Sequence, residues 1–411
     1  MAEVSEAVQS EERVTAEVAQ QLPTTKLSNR PQAIEEVHLD ELLRLVVEKR
    51  GSDLHLASGV PPVIRVDGQL LATPYEPMTE FEVQRMIYAI LTDEQIRAFE
   101  TELELDCSYQ LKSVSRFRVN VYRDRGSCAG AFRVIPSRIP TIRELGLPLV
   151  LEELSRKPRG LILVTGPTGS GKSTTLAAVL GQINNERSTH IITIEDPIEY
   201  LHTHRRSLIN QRELGMDTRS FAQALKHSLR QDPDVILVGE IRDAETALIA
   251  TEAALTGHLV FSTLHTNDAP SAVARMMEMG IEPFLISSAV IGVLAQRLVR
   301  VICPECKESY TPPVEAFRRL NLAMDLESVT FYRGRGCERC RHNGYRGRIG
   351  VFELMMVTDP IRELVLKKAP AHRIREEALQ SGMITLKQDA MQKVLEGITT
   401  MEEALRVVYT G

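Results

Sequence analysis

Gly166-Pro167-Thr168-Gly169-Ser170-Gly171-Lys172-Ser173 is the stretch whose reading decides the fold. Its spacing is G-x-x-x-x-G-K-[S/T]. The apolar, β-branched-rich run Leu161-Ile162-Leu163-Val164 precedes it, and Thr174 to Leu180, a good helix start, follows. Strand, glycine loop and helix in this order give the spacing a physical meaning. The glycines let successive backbone N–H groups turn toward one point, and the helix N-terminus adds partial positive charge. A phosphate chain fits such a cradle. Lys172 can reach β- and γ-phosphates, and the Ser173 hydroxyl can hold Mg²⁺. Gly166 through Thr174 are therefore expected to bind ATP with Mg²⁺.

Working outward, 411 residues suffice for two or three domains, and 43% apolar residues suffice for a sizeable core. A formal charge of -6 gives no global basic field for nucleic acid or an acidic membrane. No apolar run reaches the roughly 18 residues of a membrane span. Acids recur through residues 1–20 without an apolar centre, so no signal peptide is expected and the cytoplasm is the expected compartment. Four of the six cysteines lie in C-x-x-C pairs, which suggests metal before disulfide.

Composition also marks boundaries. Residues 1–36 carry seven Glu against three Lys/Arg and no aromatic residue, and read as a flexible tail. An α+β domain is expected over 37–138. In it a helix covers 38–49, strands lie near 51–56 and 61–70 with an Asp-Gly turn, one helix spans 79–100, and strands cover 116–123 and 129–135. Pro136 to Pro148 carries three prolines, and 139–147 within it reads as a linker. A P-loop core over 148–302 alternates strands (160–165, 189–194, 234–239, 258–264) with helical segments, the pattern of a parallel sheet covered by helices. A cysteine-bearing insert follows over 303–354, folded out as its own lobe, and three amphipathic helices are expected over 355–411.

Three further stretches carry chemistry. Thr193-Ile194-Glu195-Asp196-Pro197-Ile198-Glu199-Tyr200 ends a strand in acids, where α/β sites lie. Glu195 and Asp196 can hold Mg²⁺ or orient water; Asp196 before Pro197 is equally a helix cap. Asp234-Val235-Ile236-Leu237-Val238-Gly239-Glu240 is an apolar strand closed by Glu240, a natural water-polarising base, with Asp243 as an expected helix cap. His258 and His265 bracket the strand Leu259–Leu264. His265 lies at the carboxyl end, where an imidazole can hydrogen-bond a γ-phosphate. His258 is assigned to nucleotide binding as well, with a structural histidine as the alternative. Cys303, Cys306, Cys337 and Cys340 suit a tetrahedral Zn²⁺; a redox pair or unliganded thiols are the alternatives.

In this order the P-loop, TIEDPIEY, VILVGEIRD and TGHLVFSTLHTN resemble the Walker A, Asp box, Walker B and His box of the secretion ATPase superfamily of type II secretion and type IV pili. Gly239 in place of the Walker B Asp matches that family's habit. The resemblance extends over about residues 37–411. It implies an α/β, RecA-like core with a smaller PAS-like α+β domain and a helical C-terminal region. It further implies a homo-hexameric ring that hydrolyses ATP beside an inner-membrane platform protein. Arg118 in RFRVN and Arg133 in AFRVI are then the arginines sent into a nucleotide site. The segment Gly344–Leu354 with its C-x-x-C pairs resembles the tetracysteine module of assembly-type ATPases.

The N-terminal domain looks like the pilus-retraction ATPases and the C-terminal third like the assembly and secretion ATPases; the cysteines favour an assembly or secretion motor. Two other classes compete. A nucleic-acid or conjugation-type motor would share the ring fold, against the acidic charge. A zinc-ribbon binding module with a vestigial P-loop would not keep Lys172, Glu195, Glu240 and His265.

Overall fold

The computed structural model describes residues 32–66, 68–136, 138–311 and 330–409. The chain divides into two units, Met1–Arg138 and Ile139–Gly411.

In the first unit the elements run α1 (Leu39–Glu48), β1 (Asp53–Leu56), β2 (Val63–Val66), β3 (Gln69–Ala72), α2 (Glu80–Tyr88), α3 (Asp93–Glu102), β4 (Glu104–Leu111), β5 (Ser115–Asp124) and β6 (Ser127–Ile135). The strands form an antiparallel sheet in the order β3-β2-β1-β6-β5-β4. Leu39, Leu42, Leu43 and Val46, spaced for one helical face, are all buried against it. The helix expected over 79–100 is two helices. The break falls where Thr92 caps α3 by accepting from the Gln95 N–H, which starts a new helix with its own box. Packing begins before residue 37: Ile34 is buried in this core. The tail reading for 1–31 and Asp67 of the Asp-Gly turn lie outside the described residues.

The second unit runs α4 (Val150–Leu154), β7 (Gly160–Thr165), α5 (Lys172–Glu186), β8 (His190–Glu195), β9 (Leu208–Glu213), α6 (Phe221–Ser228), β10 (Val235–Val238), α7 (Ala244–Leu255), β11 (Leu259–Leu264), α8 (Ala269–Glu278), α9 (Pro283–Ala289), β12 (Val290–Ile302), β13 (Lys307–Tyr310), β14 (Phe331–Gly334), β15 (Tyr345–Met356), α10 (Asp359–Leu366), α11 (Ala371–Gln380), α12 (Leu386–Leu395) and α13 (Met401–Tyr409). Its seven-stranded sheet has the order β15-β12-β7-β11-β10-β8-β9, parallel except for β15. β7, β10 and β11 are buried at every position. That is why they read as unbroken apolar runs rather than alternations. Leu161 and Leu163 point into one core with α6, α7, α8 and the C-terminal helices; Ile162 and Val164 point into the other with α4 and α5. Each such side chain contributes about 1.5–3 kcal/mol of burial. Asp243 caps α7 as expected, accepting from the Thr246 N–H at 2.8 Å.

Four expectations need correction. Ile142 and Leu147, placed in a linker, are buried in the core with α5. The segment is packed onto the core instead of acting as a tether. Tyr345–Met356, assigned mostly to the insert, pairs with β12 over its length and closes the sheet. The described parts of the cysteine segment do not stand apart as a separate lobe; residues 312–329 of the expected insert lie outside the described residues. Its Phe331 packs into the core shared with the C-terminal helices, and Tyr310 donates to Glu402 on α13 at 3.2 Å. Those helices number four among the described residues, not three: Gly382 and Gly397, both at positive φ, follow α11 and α12, and a further break, with Lys368 at φ 53° and Pro370 capping α11, separates α10 from α11.

Candidate active site

The parallel strands β7, β8, β10 and β11 end together, and the residues that follow them share one edge. Gly166 leaves β7 at φ 144°, and a Cβ there would lie 2.4 Å from the Gln296 carbonyl oxygen, so only glycine fits. Gly169 and Gly171 also take positive φ. Pro167, Thr168 and Gly169 form an exposed crown, while Ser170 is buried. α5 starts at Lys172, so the N–H groups of Lys172, Ser173 and Thr174 are free of helical partners and available to an anion. The Lys172 ammonium donates to the Gly166 and Pro167 carbonyls at 2.8 and 3.1 Å. Burial pushes its pKa down, against the opposing pull of Glu240 and Glu199. The Ser170 hydroxyl is buried with no partner among the described residues.

Glu240 follows β10. Gly239 before it donates to the Ile194 carbonyl at 2.7 Å, and a Cβ at 239 would lie 3.2 Å from that oxygen. The strand end is thus drawn against β8, which accounts for glycine where an aspartate is common. Glu240 contacts Arg242, and His265 after β11 lies 3.3 Å from its second oxygen. Burial raises the Glu240 pKa, but Arg242 and His265 outweigh it and hold the carboxyl below its ordinary value. Arg242 also reaches Asp196 at 3.3 Å. Glu195 accepts from the Thr193 hydroxyl at 2.6 Å and the Gln211 amide at 3.1 Å, yet burial raises its pKa. No helix begins at Pro197: residues 196–207 are neither helix nor strand, so the capping reading of Asp196 has no helix to serve.

His258 is corrected. It precedes β11 at the amino end, about 16 Å of strand from the edge that carries Lys172. Its Nδ1 lies 2.9 Å from the Ala253 carbonyl at the end of α7. It closes a helix and has no place in the phosphate site. Sequence reasoning missed Glu199, Tyr200, Arg242, Thr175 and Gln296. Tyr200 pairs its hydroxyl with Thr174 at 3.0 Å. The first three stood inside motifs already quoted; Gln296 was signalled only as an amide interrupting an apolar strand.

Arg118 and Arg133 belong to the first unit. They stand directly opposite each other on β5 and β6, both exposed. Like charges so placed repel. Arg133 is offset by Asp53 at 2.8 Å.

The four cysteines do converge. Cys303–Cys337, Cys306–Cys340 and Cys337–Cys340 sulfurs are 3.9, 3.7 and 3.7 Å apart, and all four lie within 4.8 Å of one another without a disulfide. A tetrahedron with metal–sulfur bonds of about 2.3 Å has edges of about 3.8 Å. The Cys337 N–H donates to the Cys340 sulfur at 3.1 Å and the Gly336 N–H to Cys306 at 3.3 Å. Burial raises the Cys340 thiol, but N–H donors bring it down to about 6, while burial and the neighbouring thiols push Cys306 up to about 12. This donor set fits Zn²⁺.

Residues 29–406 match the family model described as type II/IV secretion system protein. The type IV pilus assembly ATPase PilB of Thermus thermophilus is 41% identical over 386 residues, 91% of this chain and 42% of the relative. The type IV pilus retraction ATPase PilT of Pseudomonas aeruginosa is 46% identical over 270 residues, 64% of this chain and 78% of the relative. The crystal structure of the pilus retraction motor PilT with bound ADP superposes with a TM-score of 0.75 at 35% identity, over 90% of this chain and 97% of that one. The chain thus spans less than half of the assembly ATPase and most of the retraction ATPase. No helix among the described residues is long and apolar enough to cross a membrane.

Proposed function

The chain belongs to the type II/IV secretion system protein family of pilus and secretion ATPases, and from that premise we propose that it hydrolyses ATP to drive assembly of a type IV pilus or pseudopilus. One observation carries the reading: Glu240 and His265 meet on the same sheet edge as the phosphate loop, and the charge of Glu240 reaches Lys172. Lys172 and the first N–H groups of α5 bind the β- and γ-phosphates, and Ser173 with Thr174 would hold Mg²⁺, which supplies charge neutralisation when bound. Glu240, held ionised, polarises water, and His265 orients against the γ-phosphate. Glu195, with its raised pKa, is a weaker cation anchor than the more open Glu199 and Asp196. Arg118 and Arg133, an uneasy pair of like charges, suit an anion brought to them by a neighbouring copy in a homo-hexamer. Cys303, Cys306, Cys337 and Cys340 would hold Zn²⁺, which would tie together the two C-x-x-C turns. The protein would work in the cytoplasm against an inner-membrane platform protein.

The four-cysteine cluster favours assembly or secretion over retraction, because it matches the module of the assembly-type ATPases. Deleting the gene tests the direction. Cells without surface pilin support assembly; hyperpiliated, non-motile cells support retraction and overturn it.

A further inference from the structure

Gln296 interrupts β12, which is otherwise apolar from Val290 to Ala295, and it is 2% exposed. Its Nε2 donates to the Ser170 carbonyl at 2.7 Å. Its Oε1 accepts from the Thr175 hydroxyl at 2.8 Å. The two targets flank Lys172 and Ser173, one in the glycine loop and one in the first turn of α5. The loop also presses on Gln296 at two glycines: a Cβ at Gly166 would meet its carbonyl oxygen at 2.4 Å, and one at Gly171 would meet its Nε2 at 3.2 Å. Behind it, Gln296 stands opposite Phe352 on β15, whose N–H donates to Asp389 on α12 at 2.8 Å.

We propose that Gln296 is a positioning residue of the nucleotide site, fixing the height of the phosphate loop so that Lys172 and the first N–H groups of α5 converge on one phosphate chain. The chemistry selects this side chain. One group must donate to a carbonyl and accept from a hydroxyl at the same depth. A carboxylate lacks the donor, a thioether lacks both functions, and asparagine is one methylene short. Removing the amide leaves a buried carbonyl and a buried hydroxyl unpaired, and the loop moves to satisfy them. Because Gln296 touches no reacting atom, its effect passes wholly through Ser170 and Thr175. The inference rests on the nucleotide-binding reading above.

The test uses the full chain, fluorescent ADP with Mg²⁺ for affinity, and steady-state ATP turnover well below Tm. Gln296→Met should weaken ADP binding at least tenfold and lower kcat at least tenfold, and Gln296→Glu should do at least as much. Thr175→Ala should cost a smaller factor, since it removes one of the two contacts, and adding it to Gln296→Met should change little, since that contact is already lost. A purely structural amide would lower Tm in Gln296→Met and Gln296→Glu but leave Kd and kcat within twofold of wild type; that result overturns the proposal. Should neither variant fold, Thr175→Ala alone decides, and wild-type affinity in it contradicts the brace. Wild-type protein that binds no ADP would instead sink the nucleotide reading, and this inference with it.

Discussion

The two edges of the parallel sheet use the same residue types to opposite ends. At the amino edge, His190 is held by Asp234, the Asp232 carbonyl and Asn210, and His258 by the Ala253 carbonyl. Each polar group answers to a close partner within the fold. At the carboxyl edge, Lys172 rests on loop carbonyls, Glu240 meets Arg242 of its own loop and His265 after the neighbouring strand, and the Ser170 hydroxyl has no partner among the described residues. Polar groups that close on themselves keep a fold. Polar groups of opposite sign that converge from different strands around an unpaired hydroxyl are arranged for something that arrives from outside.

The sharpest way to break this contrast is Lys172→Ala. Turnover should fall at least about 10³-fold, and ATP affinity should fall with it, because Lys172 serves the ground state as well as the transition state. Steady-state kinetics with equilibrium nucleotide binding checks both. The two histidines offer a paired comparison. His265→Gln should lower kcat by about 10- to 100-fold with little change in Tm. His258→Gln should leave kcat unchanged and cost about 0.5–1.5 kcal/mol of stability, the loss of one helix-closing bond. Equal effects of the two substitutions on turnover would erase the distinction between the edges.

The cysteine cluster is a third arrangement, whose four converging sulfurs could hold a metal ion. Purified protein should carry one Zn²⁺ per chain, and Cys303→Ser should lose it together with protease resistance near residues 303–344. Metal analysis giving no zinc, with four titratable thiols in native protein, contradicts the site.

The smallest effect concerns Glu403. Its buried carboxylate accepts from the Arg300 and Arg406 guanidinium groups at 2.8 and 2.9 Å. Burial raises its pKa, but these donors hold it down to about 2. The stabilisation is therefore complete above the ordinary carboxyl value near 4.5 and is lost as pH falls toward 2. Glu403→Gln should flatten that part of the urea-denaturation profile. An unchanged slope between pH 5 and 2 would show that the pair contributes nothing.

Much of the carboxyl edge was legible because its motifs are local. The glycine loop names its own geometry, and a buried parallel strand ending in Glu240 or followed by His265 fixes which end faces a ligand. His258 was misplaced for the same reason in reverse: seven residues from His265, it looks equivalent until strand direction separates the two by the length of β11. The linker and the insert were misjudged because proline and cysteine mark turns without saying what packs behind them. Ile142, Leu147 and Phe331 become core residues only when distant strands come together. Gln296 could not be found by spacing, since its partners lie more than a hundred residues away. Glu195 was readable as an acid at a strand end, but its hydrogen bonds to Thr193 and Gln211 were not.

The central claim, that the carboxyl edge hydrolyses ATP with Glu240 acting on water, is tested most directly by comparing wild-type and Glu240→Gln protein in phosphate release and in nucleotide retained after rapid desalting with Mg²⁺. Glutamine keeps the size of the side chain but cannot take a proton. The predicted result is turnover by the wild type, at least about 10²-fold slower turnover by Glu240→Gln, and intact ATP trapped on the variant at wild-type affinity. Near-wild-type hydrolysis by Glu240→Gln would contradict the assignment.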